Sequence, residues 1–200
     1  RARVIVREAV IPSSIAENQL MPWLVRSAYR NLYSAADMVI SPARCIIDEF
    51  DAYLGMETGN HALLHNPVDV TRIRDEREAL FDFGKDRAAT HHFVCAGRLH
   101  RQKGFDRLID RLGALPADFN WHLTILGEGR ERKDLEARIE RLGLGRRVML
   151  AGQVKRPWPV IGAADAFLLP SRWEGLPNVA LEALAVGTPV IASHEAGGIA

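Results

Sequence analysis

Short apolar runs alternate with longer stretches of helical spacing along most of the chain, and the alternation is most regular from His92 onward. There the pattern predicts strands over 92–97, 121–126 and 147–151, separated by helices over about 104–115 and 130–142. A helical turn near 157–164 then leads to a strand over 166–169, a helix over 177–186 and a strand over 189–192. Pro177 suits a first helical turn, where its missing N–H costs nothing, and Gly187 ahead of Thr188-Pro189 is a stop signal. The Arg- and Glu-rich helix from Arg130 to Arg141 reads as a solvated face laced with i,i+4 pairs, such as Asp134 with Arg138. Strands alternating with helices of this length argue for an α/β protein with a parallel, doubly wound sheet.

The first third is less regular. Val4 to Val6 reads as a strand ending in Arg7-Glu8, Asn18 to Ala35 carries helical spacing, and Asp37 to Ile40 is a second strand. Ser41-Pro42 is expected to cap and open a helix running to about Leu54. After a polar break at Gly55 to Asn60, His61 to His65 is one more strand, with both histidines expected to face solvent. Residues 69–91 are charged and interrupted, either irregular or a short helix around Asp75 to Phe81.

Composition changes this picture little. With 200 residues and 48% hydrophobic content the chain can bury a substantial core, and its length allows one or two domains. A net charge of +1 gives no support for a nucleic-acid binder. Cys45 and Cys95 lie far apart without a C-x-x-C, which points to reduced thiols in a cytoplasmic protein, Cys95 as a small core residue. No run reaches the ~20 apolar residues of a membrane span. The chain starts at Arg1 without a methionine and stops just after Gly197-Gly198, so both ends are expected to be cut.

Chemistry enters at the predicted strand ends, where helix N-termini offer unpaired N–H groups and positive dipole ends. Gly97-Arg98 closes one strand and Lys103-Gly104 opens the next helix, so both cations can converge on one anion. The competing reading is a solvated basic face, with Asp106 and Asp110 pairing with Arg101, Arg107 or Arg111. Gly127-Glu128-Gly129 permits close backbone approach to a ligand, although turn geometry explains both glycines as well. Glu174 and Glu182 are eight residues apart (182 minus 174), the second in the apolar run Val-Ala-Leu-Glu-Ala-Leu-Ala-Val. A carboxylate is costly there unless a partner bonds it. Glu174 reads otherwise as a loop acid, Glu182 as a buried acid capped by backbone or a basic neighbour.

These segments together, G-R-L-H-R-Q-K-G at 97–104, L-G-E-G at 126–129 and the E-x7-E spacing of Glu174 and Glu182, resemble the retaining group 1 (glycogen-synthase-like) glycosyltransferases. The resemblance covers the second half of the chain closely and residues 1–66 loosely. It implies a GT-B architecture of two Rossmann-like domains, with 1–66 the C-terminal part of an acceptor domain and 67–200 most of a donor domain, Asn66-Pro67-Val68-Asp69 marking the crossover. It implies transfer of a sugar from a UDP- or GDP-linked donor, with retention and without a metal or other cofactor, to a glycan or lipid-linked acceptor in surface-polysaccharide synthesis. Arg98 and Lys103 would bind and stabilise the departing diphosphate, and Glu174, with N–H groups around Gly175 and Leu176, would hold the sugar. Glu182 would accept ribose hydroxyls, while Gly97, Gly127, Gly129 and Val154 border the nucleotide. The resemblance also implies a place at the inner face of the membrane, with any peripheral association made through missing parts, and a fragment inactive by itself.

Two carboxylates also serve glycoside hydrolysis, but a helix-borne Glu182 beside a phosphate-directed basic pair fits that poorly. No D-x-D occurs, which disfavours metal-bridged transferases, and no His and Asp ligand cluster suggests a metal site. A nucleotide-sugar epimerase, a related phosphorylase and a catalytically silent nucleotide-sugar-binding module remain as alternatives.

Overall fold

The computed structural model describes residues 3–17, 20–56, 59–77, 81–83 and 89–199. Contacts divide the chain into two compact units, Arg1–Pro67 with Trp173–Pro177 and His194–Ala200, and Val68–Arg172 with Asn178–Ser193.

The first unit holds a parallel sheet of β1 (Ile5–Arg7), β2 (Met38–Ser41) and β3 (His61–Leu63), in that order, with helices α1 (Pro12–Glu17), α2 (Pro22–Tyr33) and α3 (Arg44–Ala52). Its core gathers Val39 with Ile46, Phe50 and Leu54 of and after α3, all at most 1% exposed. The buried carboxylate of Glu8 accepts the N–H groups of Ala9 and Val10, both at 3.0 Å, and the hydroxyls of Tyr29 (3.0 Å) and Tyr33 (2.6 Å). Four donors satisfy its two oxygens, which is what makes a buried acid tolerable. Burial, with the Glu8 charge beside the rings, pushes both phenols up.

Three expectations change here. The helix foreseen from Asn18 begins at Pro22, which occupies its first turn; residues 18 and 19 lie outside the described residues. Ser41-Pro42 does not cap α3: Ser41 ends β2, paired with Leu63, and the helix starts at Arg44 after an extended Ala43 with no side-chain cap. Strand pairing claims Ser41 before capping can. His61 does not face solvent but stands edge-on to Phe50, ring centroids 4.5 Å apart, whereas His65 is exposed, its Nδ1 2.9 Å from the Pro42 carbonyl.

The second unit carries helix α4 (Val70–Arg77), then β4 (His91–Ala96), α5 (Phe105–Gly113), β5 (Trp121–Leu126), α6 (Arg132–Arg141), β6 (Val148–Gly152), α7 (Trp158–Ala163), β7 (Ala166–Leu169), α8 (Asn178–Ala185) and β8 (Val190–Ala192). The strands form one parallel sheet in the order β6-β5-β4-β7-β8, so strand order reverses between β4 and β7. Alternate residues Trp121, Leu123 and Ile125 of β5 pack with Phe105, Ile109 and Leu112 of α5 and Leu135 and Ile139 of α6, the period of two expected for a sheet face. Truncating a buried Trp of this kind costs about 3–5 kcal/mol. The stop signal after α8 acts as read: Thr188 N–H bonds the Ala183 carbonyl at 2.9 Å and Gly187 N–H that of Leu184 at 3.0 Å.

α4 lies earlier than the helix foreseen around Asp75 to Phe81, because Asp69 Oδ1 accepts Arg72 N–H at 3.0 Å and caps it; residues 78–80 lie outside the described residues. On α6, Arg138 pairs not with Asp134 but with Asp110 of α5, while the i,i+4 pairs join Arg132 to Glu128 and Glu136.

Burial holds the His61 imidazole below its ordinary value, so on acidification the unfolded chain takes up the proton first. Its contribution to stability is therefore complete above the unfolded value of 6.5 and is lost as pH falls through the lowered folded one. Thermal melts between about pH 7.5 and about pH 5 should fall more steeply for the wild type than for His61→Phe, and parallel curves would show that this histidine carries no linkage.

Candidate functional site

At the carboxyl ends of β4, β5 and β6 the loops enclose a cleft of about 380 Å³ lined by Gly97, Arg98, Gly127, Glu128, Val154 and Pro157, among others. Backbone bonds lace the loops together: Gly97 N–H to the Leu126 carbonyl at 2.9 Å, Gly127 N–H to Gly152 at 2.7 Å and Leu99 N–H to Glu128 at 2.9 Å. Gly127 has φ +139, and a Cβ there would lie 2.0 Å from the Gly97 carbonyl oxygen. The chain's own packing therefore demands this glycine, whatever else approaches it. A Cβ at Gly129 would lie 2.3 Å from the Leu99 carbonyl oxygen. A larger cleft of about 960 Å³, lined by Phe83, His92, His122 and Met149 among others, contains none of the residues the motifs single out. Ligands of open α/β sheets gather at the strands' carboxyl ends, which favours the smaller cleft.

Arg98 is exposed and makes no hydrogen bond or ion pair among the described residues. The Lys103 side chain crosses Gly97, its Cε 3.2 Å from where a Cβ would stand. The other cations nearby are engaged in scaffold. Arg107 donates to the carbonyls of Pro170 (2.9 Å) and Ser171 (2.7 Å). Arg172 grips both oxygens of Asp106 at 2.7 Å, donates to the Arg101 carbonyl at 2.7 Å, and its N–H meets the Gln102 carbonyl at 2.7 Å. The Arg172 hydrogen bond is the main reason the Asp106 carboxyl is held below its usual range. Asp106 and Asp110 thus pair with Arg172 and Arg138 rather than with Arg101, Arg107 or Arg111. Gly104, in the left-handed region at φ +66, lets the Pro170 carbonyl come within 2.0 Å of an absent Cβ.

On α8 the half-buried Glu182 accepts the indole N–H of Trp158 on Oε2 at 2.9 Å; the cap is neither backbone nor a base. Glu174, Gly175 and Leu176 belong to the first unit. Glu174 is 7% exposed, the Gly175 carbonyl accepts Gly198 N–H at 2.7 Å, and the Leu176 carbonyl accepts the Asn66 amide at 3.0 Å. Gly97, Arg98, Gly127 and Val154 thus share one cleft with Lys103 across Gly97, Gly129 buttresses its wall, and Glu182 is set by Trp158.

The profile described as Glycosyl transferases group 1 matches residues 77–200. The chain belongs to the group 1 glycosyltransferases. Among curated proteins of this kind, it is 34% identical over 152 residues to the lipopolysaccharide core biosynthesis mannosyltransferase LpsB of Rhizobium meliloti, covering 71% of this chain and 42% of that one. It is 26% identical over 200 residues, 99% of this chain and 53% of the relative, to the N-acetylgalactosamine-N,N'-diacetylbacillosaminyl-diphospho-undecaprenol 4-alpha-N-acetylgalactosaminyltransferase of Campylobacter jejuni. The chain therefore spans 42–53% of the length of these two relatives. Anabaena Alr3699/HepE, solved in complex with UDP, superposes with a TM-score of 0.80 at 23% identity over 100% of this chain and 55% of its own. The fold is accordingly that of the GT-B group 1 glycosyltransferases, the α/β class expected from the sequence.

Sequence reasoning missed Arg107, Arg172 and Trp158 as parts of this group 1 framework. Their partners lie 24 to 71 residues away, so no local spacing announces them.

Replacing Arg172 with Leu removes three side-chain hydrogen bonds and leaves Asp106 unpaired. Denaturant unfolding at neutral pH should show a loss of about 1–3 kcal/mol. Because the Asp106 value is lowered, the wild type's advantage is complete above the unfolded value of 3.8 and fades as pH falls through the folded one, so the two stabilities should converge in acid. A pH-independent gap would mean that the pair contributes through packing alone.

Proposed function

We propose that this chain carries the nucleotide-sugar site of a glycosyltransferase, with the donor diphosphate held by Arg98 and Lys103. The observation that carries the reading is Arg98 itself: an exposed guanidinium without a partner among the described residues, in the cleft at the carboxyl end of β4, with the Lys103 chain folded over the adjoining Gly97. Cleavage of the anomeric C–O bond moves an electron pair onto a phosphate oxygen, and paired cations at that oxygen lower the barrier. Arg107 and Arg172, bound to carbonyls and to Asp106, keep the turn bearing Lys103 in place without competing for the anion.

The other roles are those the family resemblance assigns. Gly97, Gly127, Gly129 and Val154 border the nucleotide, and Glu182 accepts from the ribose. Glu174, with the N–H groups of Gly175 and Leu176, holds hydroxyls of the transferred sugar, since two carboxylate oxygens suit a vicinal diol. The donor is a UDP- or GDP-sugar, the former supported by the UDP bound to HepE. The acceptor is a glycan or lipid-linked glycan, as the undecaprenol-linked substrate named for the Campylobacter relative supports. Transfer proceeds with retention, without a metal or other cofactor, in surface-polysaccharide synthesis. Among the described residues no helix is long and apolar enough to cross a membrane; the reading places the protein in the cytoplasm at the inner membrane face, in peripheral association. Residues 1–66 are the end of the acceptor domain and 67–200 most of the donor domain, so the chain alone binds nucleotide and transfers nothing.

Calorimetry with UDP and GDP is the test. Arg98→Ala and Lys103→Ala should each weaken the better ligand by roughly 1.5–3 kcal/mol, the worth of a hydrogen bond between charged groups. Glu174→Gln should spare the free diphosphate and weaken only the nucleotide sugar. Unchanged diphosphate affinity in both cation variants, with melting temperatures preserved, would remove the phosphate assignment.

A further inference from the structure

Trp158 stands between two parts of the second unit that the motifs leave unconnected. Pro157, directly before it, lines the cleft, and its own indole N–H reaches Oε2 of Glu182 on α8. Its backbone is stiff: prolines flank it at 157 and 159, it is the first residue of α7, and Ile161 N–H closes that turn on the Pro157 carbonyl at 2.9 Å. Its ring is also held, with the Arg72 guanidinium 5.6 Å from the centroid. An indole offers one donor and no acceptor, so its bond to the carboxylate has a single sense. Among the described residues Oε1 of Glu182 has no hydrogen-bond partner.

We propose that Trp158 is a positioning residue: by occupying Oε2 it fixes the Glu182 carboxylate so that Oε1 is presented to a ribose hydroxyl, and discrimination between ribo- and deoxyribonucleoside diphosphates depends on its N–H. This rests on the reading of Glu182 as the ribose acceptor. Without the N–H the carboxylate turns about its last torsion, which is broad and only two-fold, and the ordered acceptor is lost. A donor held this way acts before ligand arrives, so the ordering cost is already met in the folded protein.

Calorimetry on the intact protein with UDP and GDP, against their 2′-deoxy and 3′-deoxy counterparts, separates the outcomes. The wild type should lose about tenfold or more in affinity when the recognised hydroxyl is removed, a factor that corresponds to roughly 1.4 kcal/mol. Trp158→Phe should bind the ribo form about five- to tenfold more weakly, bind the deoxy form within about twofold of wild type, and so lose the discrimination. Replacement of Trp158 by its benzothiophene analogue, which keeps the ring volume and lacks the N–H, should behave as Trp158→Phe does even where the latter disturbs packing. Equal weakening of both ligand forms, or wild-type discrimination retained in the analogue, overturns the proposal while leaving Glu182 in place. A wild type indifferent to the hydroxyls, or one whose discrimination survives Glu182→Gln, overturns the ribose reading itself and the role of Trp158 with it.

Discussion

The approach of the Pro170 carbonyl to Gly104 is the constraint on which the site depends. Only a residue without a side chain lets the loop after β7 lie against the start of α5, and the left-handed backbone at 104 makes the turn that leads there. Once the loops touch, charged groups close around the contact: Arg107 on the carbonyls of Pro170 and Ser171, and Arg172 on Asp106 and the backbone of the 101–103 turn. Strand order reverses between β4 and β7, so these two loops diverge from neighbouring strand ends, and the clamp fixes their separation.

The clamp also sorts the cations. A sequence so rich in arginine between 98 and 111 could spread its charge over a solvated face. Instead Arg107 spends its donors on backbone oxygens and Arg138 bridges two helices, while Arg98 is left without a partner among the described residues. The pair of Arg172 with Asp106 is about a quarter exposed on each side, at 24% and 30%, and joins residues 66 apart in the chain, whereas Arg132 pairs with the more exposed Glu128 and Glu136, each only four residues away. Pairs of the second kind are worth about 0–1 kcal/mol and do not decide geometry. Pairs of the first kind, with both partners oriented by further hydrogen bonds, do.

Two carboxylates, Glu8 buried and Glu182 half-buried, differ in how fully their oxygens are bonded. Glu8 is surrounded by four donors, two of them tyrosines stacked 5.0 Å apart, and every lone pair that faces the interior has a use in holding the first unit together. Glu182 has one donor and an oxygen to spare. A buried acid with every oxygen bonded is a structural element, whereas a half-buried one keeps an oxygen free of protein partners among the described residues.

What the sequence determined alone was whatever is decided within a few residues. The two-residue period of β5, the helical spacing of α5, α6 and α8, the break at Gly187 and the order of the motifs are local, and each appears in the structure near where the pattern places it. The motifs at 97–104 and 126–129 could likewise be put at strand ends, because strand and helix were both legible on either side. Partner choice could not. Asp134 and Arg138 are correctly spaced for an i,i+4 bond, yet Asp110 wins because α5 and α6 pack side by side and bring a carboxylate that no spacing rule counts. Ser41 looks like a cap but ends a strand, and His61 looks like a surface residue but meets Phe50, since the sheet register of the first unit is set by long-range pairing. The donor that orients Glu182 lies 24 residues before it on another helix, and the glycines at 104 and 127 answer to carbonyls of distant loops. Backbone preference and hydrophobic period act along the chain; hydrogen bonds and close contacts of side chains act across it, and only the folded arrangement of strands and loops chooses among them.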